Sequence, residues 1–219
     1  MNYIENIYIC LAAPLLIAAI IVRTRGRIMM TFVLSGMTVC LLSSYISTFL
    51  AAALESSQLT ASLTIAPIVE EIMKLFPVLF YILIYEPDRE GMSSSVLMTS
   101  VGFATFENVC YLAQNGAENL MYLIIRGFGT GAMHVVCGAL ISIGLIRLLD
   151  TKWLRIAGTT GIVAMACTYH GVYNMLVTKP GAPALIGYVI PLFTVFAIVI
   201  PVRNMMMKRH EQAGGRDVK

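Results

Sequence analysis

The run ASLTIAPIVEEIMKLFPVLFYILIY occupies residues 61–85 and carries only three charged side chains, Glu70, Glu71 and Lys74. Its 25 residues are enough to cross the hydrocarbon core of a bilayer, which takes about 20 helical residues. An ionisable group in hydrocarbon is costly unless it is paired or hydrated, so charges within such a span are candidates for function. The run therefore predicts a membrane helix that carries a polar site.

The rest of the chain has the same character. Its 219 residues are 58% hydrophobic and 12% charged, whereas soluble domains have about 25% charged residues. Apolar runs predict an all-α, polytopic membrane protein with about seven spans: 6–22, 28–54, 61–85, 92–113, 120–149, 156–177 and 184–202. We expect one transmembrane domain over residues 1–203 and a short basic cytoplasmic tail over 204–219.

The basic residues predict the orientation in the membrane. If the N-terminus lies outside, twelve of the fifteen Lys and Arg residues fall in inner connections or the tail, and the outer connections hold only Lys179. The positive-inside rule favours this arrangement, with the C-terminus of a multi-pass protein in the cytoplasm, and we expect the protein in a prokaryotic plasma membrane. A net charge of +3, dispersed along the chain, excludes a nucleic-acid surface and leaves the bilayer as the predicted environment.

Polar residues of four consecutive spans fall at one predicted depth. Counted from the outer ends, with Arg126 marking one boundary, Glu70, Glu107, His134 and His170 each lie about 10–13 Å below the outer surface. We interpret this layer as a single site in the outer half of the membrane. Each of these residues could also have a purely structural role, in helix-stabilising ion pairs or in packing between helices.

The helical spacing gives these alternatives. Lys74 could form an ordinary helix-stabilising ion pair with Glu70 or Glu71, although one carboxylate would then lack a partner on this helix. Phe103, Glu107 and Tyr111 share one helix face, which is also typical of interhelical packing. His170 and Asn174 likewise face one side of a helix.

A carboxylate beside histidines in a partly desolvated cavity can activate water, so the layer favours hydrolysis. Membrane aspartates, a GxSG serine turn and an HExxH zinc motif are all missing from the sequence. Three cysteines lie three residues from Glu107, His134 and His170, but at other depths, so thiolate ligation is not favoured. The remaining type of hydrolase uses glutamate and histidine, with or without a metal ion.

Four motifs then resemble those of a known family. They are EExxK at Glu70–Lys74, GFAxxEN at Gly102–Asn108 followed by Tyr111, an R…HxxxG segment from Arg126 through His134 to Gly138, and HGxYN at His170–Asn174. Together they resemble the PrsW family of intramembrane proteases, which is related to type II CAAX prenyl endopeptidases and bacteriocin-processing enzymes. The resemblance covers residues 70–174.

The resemblance implies an endopeptidase that cuts a single-span membrane protein near the extracytoplasmic face, as in site-1 cleavage of anti-sigma factors. It assigns the general base to Glu70 and Glu71, metal binding or oxyanion stabilisation to His134 and His170, and the rest of the shell to Glu107 and Asn174. Asn174 stands where some members carry aspartate. Lys74, Arg126 and Tyr111 would support the site.

A zinc ion held by His134, His170 and a carboxylate, with Glu107 or a member of the Glu70/Glu71 pair as the third ligand, and a metal-free glutamate mechanism both remain open. So do a CAAX-type or bacteriocin-related protease, a non-catalytic relative and a carrier. The sequence names neither the substrate nor the oligomeric state.

Overall fold

A computed structural model describes residues 4–22, 24–116, 120–148 and 152–199 of the chain, and every regular element in these ranges is helical. The helices are α1 Ile4–Ile21, α2 Thr24–Ala53, a short α3 Gln58–Thr60, α4 Ala66–Tyr85, α5 Arg89–Asn115, α6 Leu120–Leu148, α7 Lys152–Val177 and α8 Ala182–Thr194. A π-helical turn, Ala61–Ile65, joins α3 to α4, and a second, Val195–Val199, follows α8. The seven predicted spans are thus confirmed as helical segments within the described residues.

Four of these helices are long and apolar enough to cross a membrane: Ile4–Ile21, Thr24–Ala53, Arg89–Asn115 and Leu120–Ile146. Large apolar side chains point outward on the flanks of the bundle, including Phe76, Phe80 and Phe193. An apolar exterior of this kind suits lipid rather than water. The sidedness of the helices remains a prediction, and the predicted tail, 204–219, lies outside the described residues.

The ends of the site-bearing helices follow from local sequence. Helix α4 stops at Glu86, which adopts a left-handed conformation (φ 43°) just before a proline. Helix α5 begins after Asp88, whose carboxylate accepts a hydrogen bond from the Gly91 N–H at 2.8 Å. It ends at Gly116, which has a φ of 75°. The short connection from Glu86 to Asp88 brings α5 back beside α4.

Glycines bring the backbones of α2 and α5 together. A Cβ at Gly36 would collide with the carbonyl of Thr99, and a Cβ at Gly102 would collide with the carbonyl of Val33. Small residues at such crossings let membrane helices approach closely. The buried hydroxyls on this face of α5 are satisfied internally, since Thr99 donates to the Ser95 carbonyl at 2.8 Å.

The interior between α4, α6, α7 and α8 is mostly apolar. Val78, Met133, Cys137 and Ala166 are fully buried in it, and Tyr188 of α8 packs against the same cluster. Helix α5 closes the bundle on the other side through Phe103 and Phe106, also buried. The four helices with predicted intramembrane charges, α4 to α7, therefore surround one interior.

Candidate active site

The site begins with an ion pair on α4. The Lys74 Nζ lies 2.7 Å from Oε1 of Glu71, one helical turn away, and the two residues are 4% and 0% exposed. Taking two charges out of water is favourable only when further hydrogen bonds satisfy them. Both members of this pair have such partners on neighbouring helices.

His170 of α7 lies between the two glutamates of α4. Its Nδ1 is 2.9 Å from Oε1 of Glu71, and its Nε2 is 3.7 Å from Oε2 of Glu70. Glu71 thus accepts a hydrogen bond from Nδ1–H, and Nε2 is directed towards Glu70. The two adjacent carboxylates therefore lie next to different nitrogens of the same imidazole ring.

His134 of α6 links this pair to α5. Its Nδ1 is 3.0 Å from the Lys74 Nζ, and its Nε2 is 2.5 Å from Oε2 of Glu107. An ammonium can only donate, so the hydrogen-bond network assigns Nδ1 as the acceptor and Nε2–H as the donor to Glu107. Phe103 packs on this group, with its ring centroid 5.0 Å from that of His134 and 4.9 Å from the Lys74 Nζ.

Arg126 holds the other oxygen of Glu107. Its Nη2 lies 3.5 Å from Oε1 of Glu107, and its Nη1 donates to Oδ1 of Asn108 at 2.6 Å. The guanidinium also stacks over the ring of Tyr111, 3.5 Å from the centroid. Arg126 therefore contacts Glu107, Asn108 and Tyr111 together, and the supporting role assigned to Arg126 and Tyr111 stays a prediction.

One chain of contacts now runs through the four helices. Its members, in order, are Arg126, Glu107, His134, Lys74, Glu71, His170 and Glu70. These contacts bring Glu70, Glu107, His134 and His170 together, while the roles assigned to them stay predictions. The depth of that layer in the membrane remains a prediction.

Asn174 makes a different contact. Its Nδ2 donates to the backbone carbonyl of Ser62 at 2.9 Å, in the π-helical turn before α4. Among the six residues predicted to be catalytic, Asn174 is the one whose described hydrogen bond lies outside the glutamate–histidine group. Ser62 and the nearby Pro67 were not among the predicted site residues, although a proline inside an apolar run indicates a carbonyl that needs another donor.

A ligand set for a metal ion is present among the described residues. One atom each from Glu70, His134 and His170 lies within 4.8 Å of the others. Ligand atoms of a tetrahedral zinc ion are about 3.3 Å apart, given bonds of about 2.0 Å. The donor types and the 3.7 Å separation of His170 Nε2 and Glu70 Oε2 suit such an ion after a small contraction. The carboxylate in this ligand set is Glu70. The other carboxylates that the sequence offered as metal ligands, Glu107 and Glu71, are not part of it.

His134 can join this ligand set only after its present hydrogen bonds rearrange. Both of its nitrogens are engaged, one by Lys74 and one by Glu107. It can offer Nε2 to an ion only by giving up the hydrogen bond to Glu107 and carrying its proton on Nδ1. Lys74 has an alternative acceptor in that case, because Oε2 of Glu71 is buried and has no hydrogen-bond partner among the residues that the structure describes.

A cavity of about 220 Å³ reaches this group from one side. Glu70 and Glu107 border it together with polar and small residues of α2 and α5, among them Ser43, Ser44 and Cys110. The side chains of Glu70 and Glu107 are 18% and 30% exposed, whereas Glu71 is fully buried. Of the three glutamates, Glu70 and Glu107 can therefore meet a ligand in this cavity.

Glutamates and histidines lie buried beside a cavity, in a helical bundle of which four helices are long and apolar enough to cross a membrane, and this is the arrangement expected of an intramembrane hydrolase. A comparison with family models gives a match over residues 24–200 to the PrsW family intramembrane metalloproteases. The match covers most of the chain, from α2 to the end of the described residues, and the chain belongs to this family. Comparisons with curated proteins and with solved structures give no significant match.

Proposed function

We propose that this protein is an endopeptidase that hydrolyses a single-span membrane protein at the Glu70–His134–His170 group. The observation that supports the proposal most directly is the convergence of one ligand atom from each of these three side chains within 4.8 Å, beside a cavity that Glu70 and Glu107 border. Membership of a family of intramembrane metalloproteases supports it. Hydrolysis needs water at the scissile peptide bond, and the cavity offers it a path.

Glu70, His134 and His170 would hold the metal, for which we propose zinc because imidazole and carboxylate donors suit it. A bound zinc ion would polarise the peptide carbonyl and make its water a stronger nucleophile at neutral pH. Three protein ligands would leave a fourth position for water.

Glu71 orients His170 rather than touching the substrate. Its carboxylate accepts from Nδ1 at 2.9 Å and thereby points Nε2 towards Glu70, the arrangement in which a carboxylate positions a metal-binding histidine. Lys74 balances the charge of Glu71 in the buried interior. These contacts separate the two adjacent glutamates into a reacting residue, Glu70, and a positioning residue, Glu71.

Glu107 would accept the proton of the attacking water. It borders the cavity, and its Oε2 lies 2.5 Å from His134 Nε2, next to the site where that nitrogen would bind an ion. Arg126 keeps the other oxygen of Glu107 in place from 3.5 Å. This assignment replaces the motif-based expectation that the Glu70/Glu71 pair carries the base.

A metal-free mechanism is the second candidate, because both nitrogens of His134 already have hydrogen-bond partners. In that mechanism Glu70 accepts the proton of the water, and His134 donates from Nε2 to the developing oxyanion. Elemental analysis of active protein distinguishes the two candidates.

The substrate we propose is an anti-sigma factor or a similar single-span protein, cut near the extracytoplasmic face. The positive-inside arrangement supports this side, since it puts the Glu70 layer in the outer half of the membrane. The small and polar residues around the cavity, such as Ser43 and Ser44, suit an extended peptide with modest side chains.

The test is cleavage of a purified single-span substrate by the purified protein in detergent or liposomes. Glu70→Gln, His134→Ala and His170→Ala should each abolish cleavage. Glu90→Gln, which changes an exposed glutamate at the start of α5, is the matched control and should be fully active. Ion flux across liposomes without any cleavage would instead favour a carrier.

A further inference from the structure

The helix that carries Glu70 and Glu71 has an irregular start. Over Ala61–Ile65 the chain forms a π-helix, in which the N–H of Ala66 donates to the carbonyl of Ala61, five residues earlier. The next residue is Pro67, which has no N–H to donate. Short π-helical turns within α-helices are frequent at functional sites, and this one lies about one turn before the glutamates.

The carbonyl of Ser62 lacks a helical donor for this reason. In α-helical pairing its donor would be the N–H of Ala66, which is directed to Ala61. In π-helical pairing its donor would be residue 67, which is a proline. The side-chain amide of Asn174 supplies the missing hydrogen bond from α7, with its Nδ2 at 2.9 Å from the carbonyl oxygen.

Asn174 shares a helix face with His170, one turn away. Between them on α7, Gly171 lies so close to the π-helical turn that a Cβ there would be 3.0 Å from the carbonyl oxygen of Leu63. His170 in turn contacts both Glu70 and Glu71. The hydrogen bond from Asn174 and the contacts of His170 therefore fix α7 against α4 at two levels.

We infer that Asn174 is a positioning residue: its amide replaces the hydrogen bond that Pro67 removes from Ser62, and so holds His170 in register with Glu70 and Glu71. An aspartate at 174 could not do this, because a carboxylate has no donor for a carbonyl. The inference deepens the proposed function through its effect on cleavage, but it also makes a claim about stability that does not depend on proteolysis.

A double-mutant cycle tests it, with Asn174→Ala, Pro67→Ala and the double variant. Displacing a catalytic group by a fraction of an ångström to one ångström costs about ten- to a hundredfold in rate, so Asn174→Ala should lower kcat by that factor with KM within about threefold. Asn174→Asp should lose at least as much. Pro67→Ala provides a backbone N–H that can reach the Ser62 carbonyl and should keep most of the activity.

The decisive comparison is made in the Pro67→Ala background. There the further change Asn174→Ala should lower kcat by less than about threefold, because Ser62 already has a donor. An equal loss in both backgrounds would overturn the inference and assign the amide to the reaction itself, for example as an oxyanion donor. Full activity of Asn174→Ala alone would also overturn it.

The thermal unfolding midpoint of the same four proteins gives a readout without a substrate. Asn174→Ala should lower the midpoint clearly in the parent chain and by a much smaller amount in the Pro67→Ala background. Equal decreases in both backgrounds would contradict the inference. If the parent protein cleaves no single-span substrate, the proposed function fails, while the midpoints still decide whether Asn174 compensates for Pro67.

Discussion

Lys74→Met is the most informative single perturbation of the buried network. The ammonium lies 2.7 Å from Glu71 Oε1 and 3.0 Å from His134 Nδ1, and the residue is 4% exposed. Methionine fills a similar volume but removes the charge and both hydrogen bonds. Glu71, fully buried, then keeps the hydrogen bond from His170 but has lost the neighbouring positive charge.

The expected magnitude follows from this geometry. Removing one partner of a buried ion pair costs about 3–5 kcal/mol, because the remaining charge is left uncompensated. Lys74→Met should therefore lower the free energy of unfolding by about 3–5 kcal/mol in a denaturant titration in micelles. The double variant Lys74→Met/Glu71→Gln removes both charges and should recover about 2 kcal/mol or more of that loss.

The control is Lys179→Met, which changes an exposed lysine in the connection before α8 and should alter stability by less than about 0.5 kcal/mol. A loss below about 1 kcal/mol for Lys74→Met would refute the reasoning, because Glu71 would then not be held as a carboxylate by Lys74. A double variant no more stable than Lys74→Met would refute the assignment of the cost to unpaired charge.

Three further predictions concern the site and its orientation. His170→Ala should leave the purified protein with well under one equivalent of zinc by elemental analysis, and a full equivalent would exclude His170 as a ligand. Glu70→Gln should be nearly inactive, whereas Glu71→Gln should retain roughly one to ten per cent of the parent rate, as expected of a residue that orients a ligand; equal rates would contradict their separate roles. Reporter fusions should place the Lys179–Pro183 connection outside and the tail after Arg203 inside, and the opposite result would move the layer to the inner half.

Much of the fold was predictable because a bilayer leaves few structural options. Backbone groups in hydrocarbon must be satisfied within the chain, so each long apolar run had to be helical. Residues 61–85 are helical in the structure, and the same rule explains why the predicted end of this span agrees with the observed helix end at Tyr85. Its irregular start over Ala61–Ile65 was not predicted, because hydropathy does not register one proline or a change in hydrogen-bond pairing.

The sequence by itself determined which helices carry polar groups and how far along each helix these groups lie, since the rise per residue is fixed. Only the tertiary structure decided which side chains contact each other. Glu71 contacts Lys74 and His170, whereas Glu70 borders the cavity. The two glutamates are adjacent in sequence and equal in type, so no periodic pattern separates them. Their roles depend on the rotation of α4 against α7, which is fixed by side-chain contacts between residues about a hundred positions apart, such as Glu71 with His170.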